Sequence, residues 1–261
     1  MASKSAVAFA TVIILTAFAG GVLVGWNWNP TVTGIISLPA QQNQNSSLSS
    51  LTPTDSYKST INIVAVRAQD NQGILNQAVV ELRPGNGRVL FAVNPFIETD
   101  TQQSAETAAS VAQQLTGKSL KAFELIYAIE NTDAQLVGGP SAGAALAVAT
   151  IAAIEQKSVK SDVAITGTIE SNGSIGQIGG VLEKADAAGQ AGIKLFLVPK
   201  GQANPTVYQP KTVQERYGRT IVTRTRYVQA TIDLNAYASE NYGMQVIEVG
   251  TVQEAEQYLI A

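Results

Sequence analysis

Fifty consecutive residues, 5–54, carry no charged side chain, and this segment most limits what the chain can form. Its first part, residues 5–25 (SAVAFATVIILTAFAGGVLVG), is almost continuously apolar. At about 1.5 Å per residue, a helix of roughly 20 residues crosses the hydrocarbon core of a bilayer. Trp26 and Trp28 follow this run, where interfacial aromatic side chains are enriched. The pattern predicts a single transmembrane anchor over residues 1–28.

The charge around this run also predicts the orientation of the chain. Lys4 supplies the only positive side chain before it, and the positive-inside rule then puts the N-terminus in the cytoplasm. The alternative is a cleaved secretory signal with Ala17-Phe18-Ala19 as its cleavage site. Both interpretations export the rest of the chain, whereas a third and less favoured one, a buried helix of a soluble protein, does not. Because the apolar run continues past the cleavage site, we favour the anchor and expect a cell-membrane protein whose main domain is extracytoplasmic.

A polar linker is predicted at residues 29–58. This stretch is rich in Asn, Gln, Ser, Thr and Pro and cannot bury enough apolar surface to fold. Within it, Asn45-Ser46-Ser47 matches the glycosylation sequon. Residues 59–261 remain as one folded domain.

Segments of strand and helix character alternate through this domain, which predicts a single domain of the α/β class, with α+β as the variant. The pattern gives no clear helix or strand prediction for residues 201–242. Strands are predicted at 61–68, 74–83, 88–93, 122–130, 162–170, 195–200 and 244–250, and helices at 100–116, 141–156, 181–191 and 251–260.

Composition excludes several classes of function. The chain has neither Cys nor His, which excludes disulfides and the usual zinc sites. Its net charge is −3, and it has no run of Lys and Arg, so we expect no nucleic-acid partner. Gly117-Lys118-Ser119 resembles the end of a phosphate loop, but Ala112 stands where that loop needs glycine. A magnesium or calcium site built from carboxylates alone stays open, although the sequence has no EF-hand spacing. We expect no nucleotide, no metal and no other cofactor.

A glycine-flanked serine and a distant lysine form the strongest candidate site. Ser141 opens an apolar helix within Gly-Gly-Pro-Ser-Ala-Gly at 138–143, and Lys184 follows 43 residues later. Lys184 lies on the helix stripe of Val181, Ala188 and Ala191, opposite the polar stripe of Glu183, Asp186 and Gln190. Burial there disfavours the charged amine and lowers its pKa, as a general base requires. Taken singly, the serine is better interpreted as a helix cap, and the lysine is better interpreted as a side chain that reaches out to solvent.

Taken together, three segments resemble the proteolytic domain of Lon proteases. They are GGPSAGAALAVA (138–149), SDVAITGTIE (161–170) and GSIGQIGGVLEKADAAGQAGIKLFLVPK (173–200). The chain is most similar to the membrane-anchored, ATPase-free Lon-like serine proteases of archaea.

The resemblance implies a role for each matching residue. Ser141 would be the nucleophile, Lys184 its base, and Thr166 the hydroxyl that holds the lysine amine. Backbone N–H groups of Gly139, Ser141 and Ala142 would form the oxyanion hole. Lon domains also assemble into homo-oligomers, typically rings of six.

This sequence departs from the family pattern at three points. Gly138 stands where many Lon sequences have Asp, three residues before the serine. Thr168 replaces the glutamate that commonly follows the Thr-Gly pair at 166–167. The segment before the domain matches anchor and linker, with no ATPase module.

These observations predict an ATP-independent serine endopeptidase with a Ser-Lys dyad that cleaves unfolded or extended polypeptides near a membrane. Two alternatives remain open. One is a catalytically inactive Lon-like domain used for binding or assembly. The other is a Ser-Lys hydrolase that acts on non-peptide amides or esters.

Overall fold

A computed structural model describes residues 51–261, apart from residues 93, 131 and 133–135. The anchor predicted at 1–28 and most of the linker predicted at 29–58 lie outside the described residues. In the part that is described, no helix is both long and apolar enough to cross a bilayer. The boundaries of anchor, linker and domain therefore stay predictions.

The described residues contain thirteen β-strands. They are β1 (Tyr57–Val66), β2 (Gly73–Pro84), β3 (Val89–Phe91), β4 (Phe96–Ile97), β5 (Phe123–Glu130), β6 (Leu136–Val137), β7 (Val163–Ile165), β8 (Thr168–Ile169), β9 (Ile175–Gly176), β10 (Leu195–Pro199), β11 (Thr206–Tyr217), β12 (Thr220–Thr231) and β13 (Gln245–Val249).

Five α-helices accompany these strands, together with one short 3₁₀ helix at Pro140–Ala142. The α-helices are α1 (Thr99–Thr116), α2 (Gly143–Glu155), α3 (Val181–Gln190), α4 (Leu234–Tyr242) and α5 (Val252–Leu259). The mixed α/β class predicted from the sequence is confirmed.

Seven strands form the central sheet, in the order β13-β10-β7-β1-β2-β5-β3. β13, β10, β7 and β1 pair in parallel, whereas β2 pairs antiparallel with both β1 and β5. The parallel half matters for function, because ligands of open α/β sheets bind at the carboxyl ends of parallel strands. β7 lies between β10 and β1, and its carboxyl end is at Ile165.

Helices cover both faces of this sheet. Because successive strand residues point to opposite faces, Leu197 packs with α1, α2 and α5, while its neighbours Phe196 and Val198 pack with α3 and α4. All three side chains are fully buried. α2 is apolar all round and buried from Gly143 to Ile154, which fits its place between α1 and the sheet. The result is a three-layer arrangement with a separate apolar core on each face.

Two predicted elements differ from the structure close to the candidate site. The strand predicted at 162–170 is two short strands, β7 and β8, separated by Thr166 and Gly167. The backbone groups of Gly167 bond outside the strands. Its N–H donates to the carbonyl of Ser141, and its carbonyl accepts from the N–H of Ala144. The helix predicted from Ser141 begins as the 3₁₀ turn and becomes α-helical only at Gly143.

The segment that the sequence left unassigned contains a long two-stranded ribbon, followed by α4. β11 and β12 pair antiparallel over 12 residues each, from Thr206↔Thr231 to Tyr217↔Thr220. No residue of either strand is buried. Its two faces are both exposed, so the apolar alternation that signals a half-buried strand is absent from the sequence.

Candidate active site

Ser141 lies in the 3₁₀ turn that leads into α2. Pro140 occupies the first position of this turn, where its missing N–H costs no hydrogen bond. Gly139 precedes it with φ 96° and ψ 139°, a conformation that only glycine adopts without strain. The Gly-Pro pair therefore turns the chain sharply and leaves the Ser141 side chain half-buried at the edge of the core.

Lys184 projects from the first turn of α3, the helix layer on the other face of the sheet from α2. Its side chain is only 4% exposed, and Val181 and Ala188 of the same stripe are also buried. The predicted burial of Lys184 is thus confirmed, whereas Ala191, which ends the stripe, is exposed because α3 stops at Gln190. The polar stripe is partly or fully exposed, as predicted.

Thr166 follows the last residue of β7 and is buried at 1% exposure. Its hydroxyl donates to the carbonyl of Ser141 at 3.3 Å, and its backbone N–H donates to Leu197 of β10 at 3.1 Å. Thr166 is therefore fixed by the sheet on one side and holds the serine loop on the other.

The structure brings the three predicted side chains together at the carboxyl end of β7. The Lys184 amine lies 2.9 Å from the Ser141 hydroxyl and 3.2 Å from the Thr166 hydroxyl. Burial lowers the pKa of Lys184 to about 8, because the apolar surroundings disfavour the charged form. A neutral lysine amine within hydrogen-bond reach of a serine is the arrangement that activates the hydroxyl as a nucleophile.

A cleft of about 660 Å³ opens in front of the Ser141 and Lys184 side chains. Gly139, Gln177 and Gly179 also line it. Among the described residues, no group of three or more Asp or Glu side chains is placed to hold a metal ion.

The backbone donors predicted for the oxyanion hole differ in their availability. The N–H of Gly139 donates to the Asp100 carboxylate at 3.2 Å, so it is already engaged. Ser141 is the second residue of its short helix, and N–H groups at that position have no acceptor inside the helix. Ala142 is the last residue of the 3₁₀ turn, and the N–H of Gly143 closes this turn by donating to the Pro140 carbonyl. The oxyanion role of these groups stays a prediction.

Sequence reasoning missed the first turn of α1 as a support for the serine loop. Asp100 accepts from Gly139, and Thr101 donates from its hydroxyl to the Gly139 carbonyl at 3.0 Å. Both backbone groups of Gly139 are therefore held by α1. The only sequence signal was an acidic residue at a helix start, which is ordinarily interpreted as a favourable charge at the helix N-terminus.

The structure places an exposed carboxylate beside the glycine at position 138. A Cβ placed on Gly138 would collide with the carboxylate of Glu98, which is the far end of a flexible side chain. The Glu98 carboxylate thus fills the space that a side chain at position 138 would take. The family pattern puts a carboxylate on the serine loop itself, whereas here α1's N-cap residue supplies one from outside the loop.

A second residue that sequence reasoning missed is Gln202, in the loop after β10. Its side-chain amide donates to the Ile178 carbonyl at 2.7 Å and accepts from the Ile178 N–H at 2.9 Å. Exchange of both bonds with one residue imitates a hydrogen-bonded pair of an antiparallel ladder. Ile178 belongs to the cleft wall. Gln202 therefore fixes the wall beside the candidate dyad.

Comparison with protein families agrees with this geometry. Residues 128–232 match the family model described as the Lon protease (S16) C-terminal proteolytic domain. The Lon resemblance is confirmed. Ser141, Thr166 and Lys184 all lie inside the matched Lon segment, and the match supports a serine peptidase hydrolase. The individual catalytic roles of the three residues stay predictions.

Three relatives illustrate the extent of the Lon similarity. The Lon protease of Mesomycoplasma hyopneumoniae (strain 232) is 32% identical over 147 residues, covering 53% of this chain and 16% of that protein. The archaeal Lon protease of Archaeoglobus fulgidus is 28% identical over 135 residues, covering 50% of this chain and 21% of that protein. The archaeal Lon protease of Methanothermobacter thermautotrophicus is 27% identical over 147 residues, covering 54% and 22% respectively. The similarity thus spans about half of this chain but only 16% to 22% of the length of these relatives.

Proposed function

We propose that this chain is a serine endopeptidase that uses Ser141 and Lys184 as a catalytic dyad. The observation that carries the proposal is the 2.9 Å contact between the Ser141 hydroxyl and a buried lysine amine. A pKa of about 8 leaves a substantial neutral fraction of that amine near neutral pH. The open cleft in front of the pair gives a substrate access to both side chains.

The reaction runs in two halves. Lys184 takes the proton of the Ser141 hydroxyl while the oxygen attacks the scissile carbonyl carbon. The protonated lysine then gives this proton to the leaving amine, and an acyl-enzyme remains. In the second half, water replaces the serine as the nucleophile. Lys184 accepts a proton from this water, the hydroxide attacks the ester carbonyl, and the proton returns to the Ser141 oxygen as the acid product leaves.

We infer that substrates are unfolded or extended polypeptides. The cleft opens to solvent between residues 138–141 and residues 177–180, and this shape gives room for an extended chain beside the dyad. No phosphate-loop motif is present in the sequence, so we expect cleavage to be independent of ATP. Added ATP with Mg²⁺ should leave the turnover of an unstructured polypeptide by the pure full chain unchanged, and a several-fold stimulation would contradict this expectation.

We further propose a membrane setting and homo-oligomeric assembly. The apolar run at 5–25 supports a single anchor, and Lys4 supports an extracytoplasmic catalytic domain. The Lon resemblance makes assembly an expectation, with a ring of six as the family's typical form. External protease added to intact cells should digest the domain; digestion only after lysis would refute the export.

A covalent serine probe tests the catalytic proposal. Wild-type full-length chain should be labelled and should cleave an unfolded protein such as casein, whereas Ser141→Ala should do neither. Ser158→Ala, an exposed serine outside the site, is the matched control and should behave as wild type. Absence of labelling in the folded wild type would favour the inactive binding domain. Labelling without peptide cleavage would favour a hydrolase of other amides or esters.

A further inference from the structure

The β11–β12 ribbon has no role in the proposed chemistry, yet it is the largest exposed element of the described chain. Each strand has 12 residues, so the ribbon extends about 40 Å. An isolated two-stranded hairpin is marginally stable in water. A ribbon of this length without a single buried residue therefore indicates that something covers one of its faces in the working protein.

One face of the ribbon is cationic. The register places Lys211 directly opposite Arg226, and Arg224, two residues further along β12, projects from the same face. All three are exposed. Like charges directly opposite each other on paired strands are destabilising unless an anion lies over them. We define these three residues as the cationic face.

Only one carboxylate offsets these charges. Glu215 lies 3.0 Å from Arg226, and it is the single acidic residue within 206–231. That segment has five Lys and Arg residues and a net charge of +4, while the rest of the chain carries −7. The positive charge is thus concentrated on a projecting element of an otherwise acidic protein.

Apolar and tyrosine side chains share the cationic face. Tyr217 is 60% exposed and Val228 is 39% exposed. Val213, opposite Arg224, and Val222, opposite Glu215, are half-buried. Tyrosine, short apolar side chains and Lys or Arg together are the composition of protein surfaces at the bilayer interface. A nucleic acid that bound the ribbon would also approach the rest of the chain, which is acidic and would repel it. A flat anionic surface can instead contact the ribbon alone.

The unpaired edges of the ribbon argue against strand addition by a second copy. Pro210 interrupts the donor row of β11, and Lys211 follows it. Proline and lysine on an edge are devices that prevent pairing with another chain. The β11 edge of the ribbon is therefore protected from pairing, which favours binding through a face.

We propose that the cationic face of the ribbon binds the anionic lipid headgroups of the membrane surface. This inference rests on the membrane attachment proposed above. The linker predicted from composition includes the 26 residues from 29 to 54, and a chain of that length and composition would have a root-mean-square span of roughly 30 Å, enough to reach the headgroups. Each basic residue near an anionic membrane surface contributes about 1 kcal/mol of binding free energy. Three cations are therefore enough to hold the ribbon on the surface, because the anchor already keeps the domain at a high effective concentration there. Bound in this way, the ribbon sets the orientation of the catalytic cleft relative to the bilayer.

Protease protection of the ribbon in vesicles tests the proposal. Full-length Ser141→Ala chain, which cannot digest itself, is reconstituted into zwitterionic vesicles or into vesicles with about 30% anionic lipid. A protease that cleaves after tyrosine reports on Tyr217 and Tyr227, which stay unchanged in all variants. We expect cleavage to slow at least about tenfold on anionic vesicles, and high salt to remove this protection.

Charge variants provide the matched controls. Combined Lys211→Gln, Arg224→Gln and Arg226→Gln should abolish the protection. Combined Lys58→Gln, Lys121→Gln and Lys194→Gln removes the same charge from exposed sites outside the ribbon and should leave the protection intact. Equal effects of the two triple variants would overturn the assignment to the cationic face.

The remaining outcomes separate this proposal from its alternatives. Equal cleavage on both vesicle types overturns lipid binding, and protection that rises with protein density on either lipid assigns the ribbon to a second copy. Protection by added RNA but not by anionic vesicles assigns it to a nucleic acid. If the chain fails to float with zwitterionic vesicles, the anchor is wrong; flotation with anionic vesicles, lost in the Lys211/Arg224/Arg226 variant, then still tests the ribbon.

Discussion

The amine of Lys184 lies 2.9 Å from the hydroxyl of Ser141, although the two residues belong to helix layers on opposite faces of the central sheet. The two side chains meet where β7 ends and no longer separates the layers. Thr166 lies at that end and touches both partners, with its hydroxyl on the lysine amine and on the serine carbonyl. The dyad therefore depends on where one short strand stops.

Replacement of Lys184 by methionine should stabilise the fold at pH 7 while it removes activity. Burial lowers the pKa of Lys184 from 10.5 to about 8, so the folded state resists protonation that the unfolded state accepts. The buried lysine therefore lowers the free energy of unfolding by about 3 kcal/mol below pH 8, and this destabilisation disappears as the pH rises to 10.5. Urea unfolding at pH 7 and at pH 10 measures it.

The wild type should gain stability relative to Lys184→Met between these two pH values. Lys194→Met removes an exposed lysine instead and should leave the pH dependence of unfolding unchanged. A Lys184→Met variant that is less stable than wild type at pH 7 would show that the lysine is not destabilised by burial.

Thr166→Val should lower kcat by about 10- to 100-fold with little change in KM, because valine keeps the shape but loses the hydroxyl that orients the lysine amine. Thr166→Ser restores a hydroxyl and should recover most of the activity. Steady-state kinetics on an unstructured peptide distinguish the two variants. Wild-type turnover by Thr166→Val would mean that the threonine only fills space.

Gly138→Asp should reduce activity, because the new carboxylate would compete with Glu98 for one position and the two negative charges would repel each other beside the serine loop. Adding Glu98→Ala to the same chain should restore most of the loss. The double-mutant cycle on kcat/KM measures this coupling. Additive effects of the two substitutions would show that the two positions do not share a space.

Gln202→Ala should raise KM about tenfold and change kcat less, because Ile178 of the cleft wall loses both bonds that fix it. Gln209→Ala, which truncates an exposed glutamine of the ribbon, is the matched control. An unchanged KM for Gln202→Ala, with the control also unchanged, would remove Gln202 from the substrate-binding wall.

The sequence predicted the elements whose apolar residues recur with the period of a helix or a strand. Helix α1 and strand β5, for example, lie within one residue of their predicted bounds. The burial of Lys184 was also predictable, because its position falls on an apolar helix stripe. In both cases, one face of the element packs against the core, so apolar residues recur in the sequence with the period of that element.

Other features depend on contacts that no local pattern records. The break of the strand at Thr166 is set by bonds from Gly167 to Ser141 and Ala144, which are distant along the chain. The supports from Asp100 and Gln202 likewise join segments that are distant along the chain. The β11–β12 ribbon was missed because both of its faces are exposed, so its side chains do not alternate in polarity.

The pH dependence of kcat/KM tests the central claim most directly. On an unstructured peptide between pH 6 and pH 10, wild-type kcat/KM should rise through an apparent pKa near 8, because only the neutral Lys184 amine can accept the Ser141 proton. Lys184→Ala and Lys184→Arg should lose at least about a thousandfold and show no such rise, since a guanidinium stays protonated in this range. The same alkaline rise at comparable rates in either Lys184 variant would contradict the Ser141–Lys184 dyad.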